Sequence, residues 1–229
     1  MFLPLYDGVK LVFLRRPIVT WTIVALNVAI FALESAGLLG DSERVDLAFG
    51  FIPSVFFHYA ALAKGLEVIP APLTLVTSLF LHGGAMHIFG NMIFLWVFGD
   101  NVEDAMGSLR FLLFYIVSGI GASLSYAAFD PTSQAPLIGA SGAIAGVIGA
   151  YLIFYPNVRV FGLALQYIPL RIKAVWCLGF WFLFQVGSAL LAKEPEVAWW
   201  AHVGGFVIGA ALTPLMRRKE APLFGPREA

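Results

Sequence analysis

Charge is scarce in this chain. Only 12% of its 229 residues are Asp, Glu, Lys or Arg, and the formal net charge is zero; an average soluble domain carries roughly twice that share of charged residues, about 25%. No basic surplus is left for binding nucleic acid, so the information lies in where the few charges sit. Cysteine is scarcer still. The single Cys177 lies inside an apolar run, which excludes an intrachain disulfide framework and a Cys-based metal site and leaves a packing role. The four histidines offer no spacing that makes a metal cage, so neither metal nor other cofactor is expected.

Apolar residues are abundant instead: 60% of the chain is hydrophobic, with a mean hydropathy of +0.86. Several runs approach the roughly 20 residues needed to cross a bilayer, which predicts an all-α polytopic membrane protein. Six candidate spans emerge: Ile18 to Ala36, Leu73 to Phe98, Leu109 to Phe129, Ile138 to Tyr155, Ala174 to Leu191 and Ala198 to Met216. They make one membrane domain over 18–216, between an N-terminal segment, 1–17, and a basic tail, 217–229. With the N-terminus inside, eleven basic residues fall on the cytoplasmic side (Lys10, Arg15, Arg16, Arg110, Arg159, Arg171, Lys173, Arg217, Arg218, Lys219 and Arg227) and three outside, Arg44, Lys64 and Lys193. That bias predicts a multi-pass protein of the cell (inner) membrane with both termini cytoplasmic. The first span reads as a retained helix rather than a signal peptide. The long first outer loop, about 37–72, contains "LAFGFIPSVFFHYAALA", too apolar for a solvated loop and expected to rest on the membrane as amphipathic helix. His58 within it reads as an interfacial residue.

Polar residues inside the predicted spans are few and expensive, and so are candidates for function. "LHGGAMHIFGNM" places His82, His87 and Asn91 in the second span, the last two on one helix face. These groups also fit a plainer role as hydrogen-bonding glue between helices. "IGASGAIAGVIGAY" opens the fourth span with Ser141, and "AWWAHVGGFVIGAAL" opens the sixth with His202. Both spans run from outside to inside, so serine and histidine lie at similar depth. Columns of small residues, Ser141, Ala145 and Gly149 on one and His202, Gly205 and Gly209 on the other, would let the two helices approach closely. From Ser141 to Tyr155 the fourth span gives only about 22 Å of helix, against a hydrocarbon thickness of about 30 Å. A water-filled space above Ser141 is therefore expected. A serine needs a base to become a nucleophile, and His202 is in reach. Backbone amides at the helix start, with His87 and Asn91, could face an oxyanion. No acidic residue lies near His202 in its span, so the pattern is a dyad, with histidine orientation left to packing or other polar groups.

Together these residues resemble the rhomboid family of intramembrane serine proteases, of bacterial type. The resemblance rests on "GASG", "AHVGG" followed by Gly209, the HxxxN pattern of His87 and Asn91, and "EDAMG" with Glu103 and Gly107; "RRPIVTWTIVALNVAIF" and "VWCLGFWFLFQ" also look like the family's first and fifth helices. It implies a six-helix rhomboid-like bundle, Ser141 as nucleophile, His202 as general base, and an oxyanion site of His87, Asn91 and the Ser141 and Gly142 amides. Gly139, Gly142, Gly205 and Gly209 are its motif glycines. Its substrates would be transmembrane proteins within the lipid bilayer, entering through a side gate between the second and fifth spans. The bulky stripe Trp176, Phe180 and Phe184 is the candidate gate, with Gly90 opposite. The chain departs from the family pattern at Leu73 and Thr74, where many members carry Trp-Arg, and at Ala145, where some stack a tyrosine on the histidine. The alternative is a rhomboid-like pseudoprotease that binds clients without cutting them; a transporter is disfavoured because no internal repeat is visible. Nothing in the sequence fixes an oligomeric state.

Overall fold

The computed structural model describes residues 2–165, 167–191 and 197–225. Lys193, Arg227 and the end of the basic tail lie outside the described residues. Among the described residues, four helices are long and apolar enough to cross a membrane: α1 (Ile18–Ser35), α6 (Ser108–Phe129), α8 (Ala174–Leu191) and α9 (Trp199–Met216). A fifth crossing is a broken one. Helix α4 (Ala71–Thr77), with one 3-10 turn (Ser78–Phe80), meets α5 (Ala85–Met106) at an 83° bend. The remaining apolar helix, α7 (Ser141–Phe154), has only 14 residues. The protein is thus an integral multi-pass membrane protein whose described residues form four helices of full length, one bent pair and one short central helix, α7, the span that the sequence predicts to be short.

The bend corrects the expected single helix from Leu73 to Phe98. Two glycines, Gly83 and Gly84, carry no side chain to favour helix, and His82 falls in the break rather than on the helix face of His87. Beyond Phe98 the helix continues two turns, because Asp100, Glu103 and Asp104 find partners there. Glu103, fully buried, accepts hydrogen bonds from Val19 N at 3.1 Å, Thr20 N at 2.7 Å, Thr20 Oγ1 at 2.8 Å and Ser108 Oγ at 2.6 Å. Since the first amides of a helix have no partner within it, this carboxylate caps the start of α1. Asp104 accepts from Val12 N, Phe13 N and Leu14 N at 2.7 to 2.9 Å, fastening the N-terminal segment to the same end of the bundle. Arg218 N bonds Ala105 O at 2.8 Å, bringing the basic end of α9 there too.

A three-stranded antiparallel sheet, in the order β1 (Phe2–Tyr6), β2 (Arg159–Ala164), β3 (Ile168–Lys173), adds to the expected all-α architecture. Only β2 and β3 are neighbours in sequence, and β1 joins from the far end of the chain. The outer segment is also more broken than one amphipathic helix. It holds α2 (Ser42–Phe49) and the short α3 (Pro53–Phe56), interrupted by Gly50 and Pro53. It is tied to the α6–α7 connection by reciprocal bonds between Phe51 and Leu137, at 3.0 and 2.8 Å, and to α4 by Thr77 Oγ1 donating to Phe49 O at 2.6 Å. At the departure from the expected Trp-Arg, Leu73 is half exposed and Thr74 turns its hydroxyl back to Ala71 O at 2.6 Å.

Helix α7 sits at the centre of the core, flanked by α5, α6 and α9. Gly142, Gly146 and Gly149 of α7 are in backbone contact with α9, and of these Gly149 belongs to the expected column. A Cβ at Gly205 would collide with the Gly142 carbonyl, and one at Gly209 with the backbone of Gly146. Such proximity is available only to glycine, and it sets the spacing of the two helices that carry the site.

Candidate active site

Ser141 is the first residue of α7 and His202 lies in the first turn of α9. The glycine contact brings their side chains together: Ser141 Oγ and His202 Nε2 are 2.8 Å apart. The other ring nitrogen is engaged as well. His202 Nδ1 lies 2.8 Å from Oε1 of Gln185, a side chain only 3% exposed. Gln185 Nε2 in turn donates to Trp181 O one turn earlier on α8, at 3.4 Å. That second bond fixes which end of the amide faces the histidine. The rings of Trp181 and Trp199 flank the imidazole at 6.1 and 6.2 Å. Ala145, one of the departures from the family pattern, is fully buried.

Ser141 and His202 open into a cavity of about 590 Å³ whose walls include His87, Gly90, Asn91 and Trp181. The backbone before the serine is shaped for close approach. Gly139 has φ +118°, and a Cβ there would stand 2.7 Å from His87 Nε2. Both the left-handed backbone and the contact demand glycine at this position. Asn91 is 8% exposed, and its Nδ2 has no partner among the described residues. Buried amides are nearly always paired, so a donor left open on a cavity wall is poised for something that enters it. The amides of Ser141 and Gly142, at the start of α7, lack intrahelical partners by position.

The other expected residues distribute differently. His82, in the break, packs its ring edge-on against His87 at 5.1 Å. His58 lies apart, lining a separate space of about 480 Å³ in the outer segment with Glu67. Trp176, Phe180 and Phe184 are 69%, 73% and 55% exposed, turned outward from the bundle, with Phe184 touching Trp199 edge-on at 5.8 Å. The side chain that α8 gives to the cavity is Trp181. Gln185 and Trp181 are the site residues that sequence reasoning missed. An amide inside an apolar span is the signal that singles out Asn91, and it applies equally to Gln185.

The geometry can be set beside known proteins. The family model described as Rhomboid domain matches residues 71–219, which includes α4 to α9 and every residue of the serine–histidine pair and its cavity. The chain belongs to the rhomboid family. It is 30% identical to the Rhomboid protease GluP of Bacillus subtilis (strain 168) over 213 residues, 93% of this chain and 37% of that protein. It is 33% identical to the mitochondrial RHOMBOID-like protein 6 of Arabidopsis thaliana over 138 residues, 60% of this chain and 41% of that one. The mitochondrial Rhomboid protein 1 of Saccharomyces cerevisiae (strain ATCC 204508 / S288c) is 25% identical over 198 residues, 82% of this chain and 50% of it. This rhomboid chain therefore spans half or less of the length of these curated relatives.

Proposed function

We propose that this rhomboid-family chain is an intramembrane serine endopeptidase that hydrolyses peptide bonds in or near transmembrane segments of other membrane proteins. The observation that carries the reading is the 2.8 Å approach of Ser141 Oγ to His202 Nε2 at a cavity with an open amide donor.

The side chains define a mechanism. The Oε1 of Gln185 can only accept, so His202 Nδ1 carries the proton and Nε2 presents its lone pair to the Ser141 hydroxyl. Ser141 Oγ attacks the substrate carbonyl carbon while His202 Nε2 takes its proton. The resulting oxyanion is met by Asn91, His87 and the Ser141 and Gly142 amides. As the peptide C–N bond breaks, the imidazolium returns that proton to the leaving amine. Water, deprotonated by the same nitrogen, then attacks the acyl carbon, and as the ester C–O bond breaks the imidazolium returns the proton to Ser141 Oγ, freeing the acid product. Gln185 acts through His202, as a positioning residue. A neutral amide holds the tautomer but stabilises the imidazolium less than a carboxylate would.

Substrates reach the site from the bilayer, since a transmembrane segment cannot become a soluble peptide at acceptable cost. The unequal distribution of basic residues supports cytoplasmic termini in an inner membrane. The test is cleavage of a model transmembrane substrate by purified protein in lipid. Ser141→Ala and His202→Ala should each reduce cleavage to background while the protein stays folded, and the double variant should be no worse, because the two groups act as one unit. Substantial cleavage by a contaminant-free Ser141→Ala protein sinks the assignment. If the unsubstituted chain binds the substrate without cutting it, the client-holding alternative stands.

A further inference from the structure

The β2–β3 hairpin has no part in the site above, yet its composition is unusual. Between Tyr155 and Ala174 the chain carries three cations, Arg159, Arg171 and Lys173, and no acidic residue. The strand register puts Arg159 directly opposite Lys173, and Phe161 opposite Arg171. Because cross-strand partners share a face, all three cations lie on one side of the sheet. All three are exposed. Arg171 rests over the Phe161 ring at 6.0 Å, whereas the like charges of Arg159 and Lys173, directly opposite one another, destabilise the strand pair and are offset when an anion lies across them.

The far end of the hairpin is apolar. Leu165, Tyr167 and Ile168 are 66%, 83% and 49% exposed. Leu165 also has φ +51°, a left-handed position that hairpin turns normally give to glycine or asparagine. A bulky apolar residue is held there at a conformational cost, with its side chain in the open.

The position of the hairpin says what covers it. Lys173 is followed without a linker by α8, a full-length span whose exposed Trp176 stands near that end. Tryptophan marks the headgroup level, so the three cations sit there too. Six residues of strand then carry the tip at most about 20 Å from that level. Pairing with another strand is a poorer fit, since both edge strands carry residues that blunt sheet edges, Pro4 on β1 and Pro169, Arg171 and Lys173 on β3.

We propose that this hairpin lies on the membrane surface, its cations binding the phosphates of anionic phospholipids and the Leu165 and Tyr167 side chains at its tip inserting among the headgroups. It is a peripheral lipid site that anchors the end of the bundle opposite Ser141. Each cation near an anionic surface adds measurable attraction.

The test places a bimane fluorophore on Tyr167→Cys in a Cys177→Ser background and measures quenching by doxyl-labelled lipid in nanodiscs. A second label, on Leu183→Cys at the exposed middle of α8, checks that the protein is inserted, whatever its catalytic activity. In an equimolar mixture of phosphatidylcholine and phosphatidylglycerol the tip label should be quenched by shallow doxyl lipid. That quenching should fall by more than half in phosphatidylcholine alone, in about 1 M salt where screening is complete within about 3 Å, or with Arg159→Gln, Arg171→Gln and Lys173→Gln combined. A tip label left unquenched in the acidic nanodiscs while the Leu183→Cys label is quenched overturns the proposal. So does quenching that ignores lipid charge and the three substitutions. A tip shielded from both lipid and water only when two copies share a disc would assign the surface to self-association instead.

Discussion

At the end of the bundle where α5 turns into α6, the buried carboxylates of Glu103 and Asp104 are surrounded by amides and hydroxyls that donate to them. At the other end the amide nitrogen of Asn91 is buried, faces a cavity and has no partner among the described residues. One helix, α5, carries both. A satisfied polar cluster can hold a fold together, whereas an unsatisfied one costs stability and persists where binding or catalysis uses it. The contrast predicts that substitutions at the two ends separate activity from stability, in opposite senses.

The largest effect after loss of the serine or histidine belongs to the open donor. Asn91→Ala should lower cleavage roughly a hundredfold to a thousandfold, the usual result of removing one oxyanion donor. Its unfolding midpoint should not fall, because no bond is broken in the resting protein. An unchanged rate would mean that Asn91 serves packing alone.

Next comes the residue behind the histidine. Gln185→Leu keeps the volume and removes the acceptor for Nδ1, so kcat should drop by roughly tenfold to a hundredfold with KM little changed, short of the ten-thousandfold seen when a triad histidine is held in the wrong tautomer. Gln185→Glu keeps an acceptor and should restore most of the rate. In protein labelled with nitrogen-15 at histidine, the His202 signals should report the Nδ1–H tautomer for Gln and lose that preference for Leu. If Leu lowers the rate without moving the tautomer signal, Gln185 acts only through packing.

Glu103→Ala should do the reverse of Asn91→Ala. It strands the amides of Val19 and Thr20 and the hydroxyl of Ser108, and buried donors left unmade cost roughly 1–3 kcal/mol each. Thermal unfolding in detergent should show a loss of about 3 kcal/mol or more, with the folded fraction keeping its kcat. A fall in kcat without a fall in stability would erase the distinction between the two ends.

Much of the site is legible in the sequence because chemistry at a fixed depth needs particular residue types at particular spacings. Ser141 and His202 follow from two short motifs plus the direction of their spans, and His87 with Asn91 follows from a spacing of four. Gln185 is less visible, since its role depends on how α8 rotates against α9, which hydropathy does not encode. The break at His82 to Gly84 is hidden for a related reason: the apolar run continues through it, so a length count joins what the glycines separate. The sheet is missed because β1 pairs with a strand far along the chain, and long-range pairing leaves no local pattern. The stripe Trp176, Phe180 and Phe184, the candidate gate, faces outward along α8. In a membrane, bulky apolar side chains face lipid as readily as a neighbouring helix, while only the small residues identify the close contact.

The smallest expected effect is on pH dependence, and it tests whether the satisfied end is fully at ease. Asp7 is 7% exposed and receives hydrogen bonds through its Oδ2 from Asn101 Nδ2 and Tyr151 OH, each at 2.8 Å. Burial raises its pKa from 3.8 to about 6, with the bonds from Tyr151 and Val9 opposing that rise. A carboxyl whose folded pKa lies above its unfolded value contributes stability that is fully present below about 3.8 and is lost as pH rises through about 6. The unfolding midpoint should therefore decline between about pH 4 and pH 6 and level off above that, with the charge of Asp100 facing Asp7. Asp7→Asn keeps an acceptor for Tyr151 and Asn101 but cannot ionise, so it should flatten that decline and unfold a few degrees higher than the parent at pH 8. Asp46 in the outer segment is raised to about 6 as well, by burial first and by Glu34 second, so Asp46→Asn should flatten the remainder to a smaller extent, being less buried. A decline with unchanged slope in both variants would show that neither carboxyl is linked to folding.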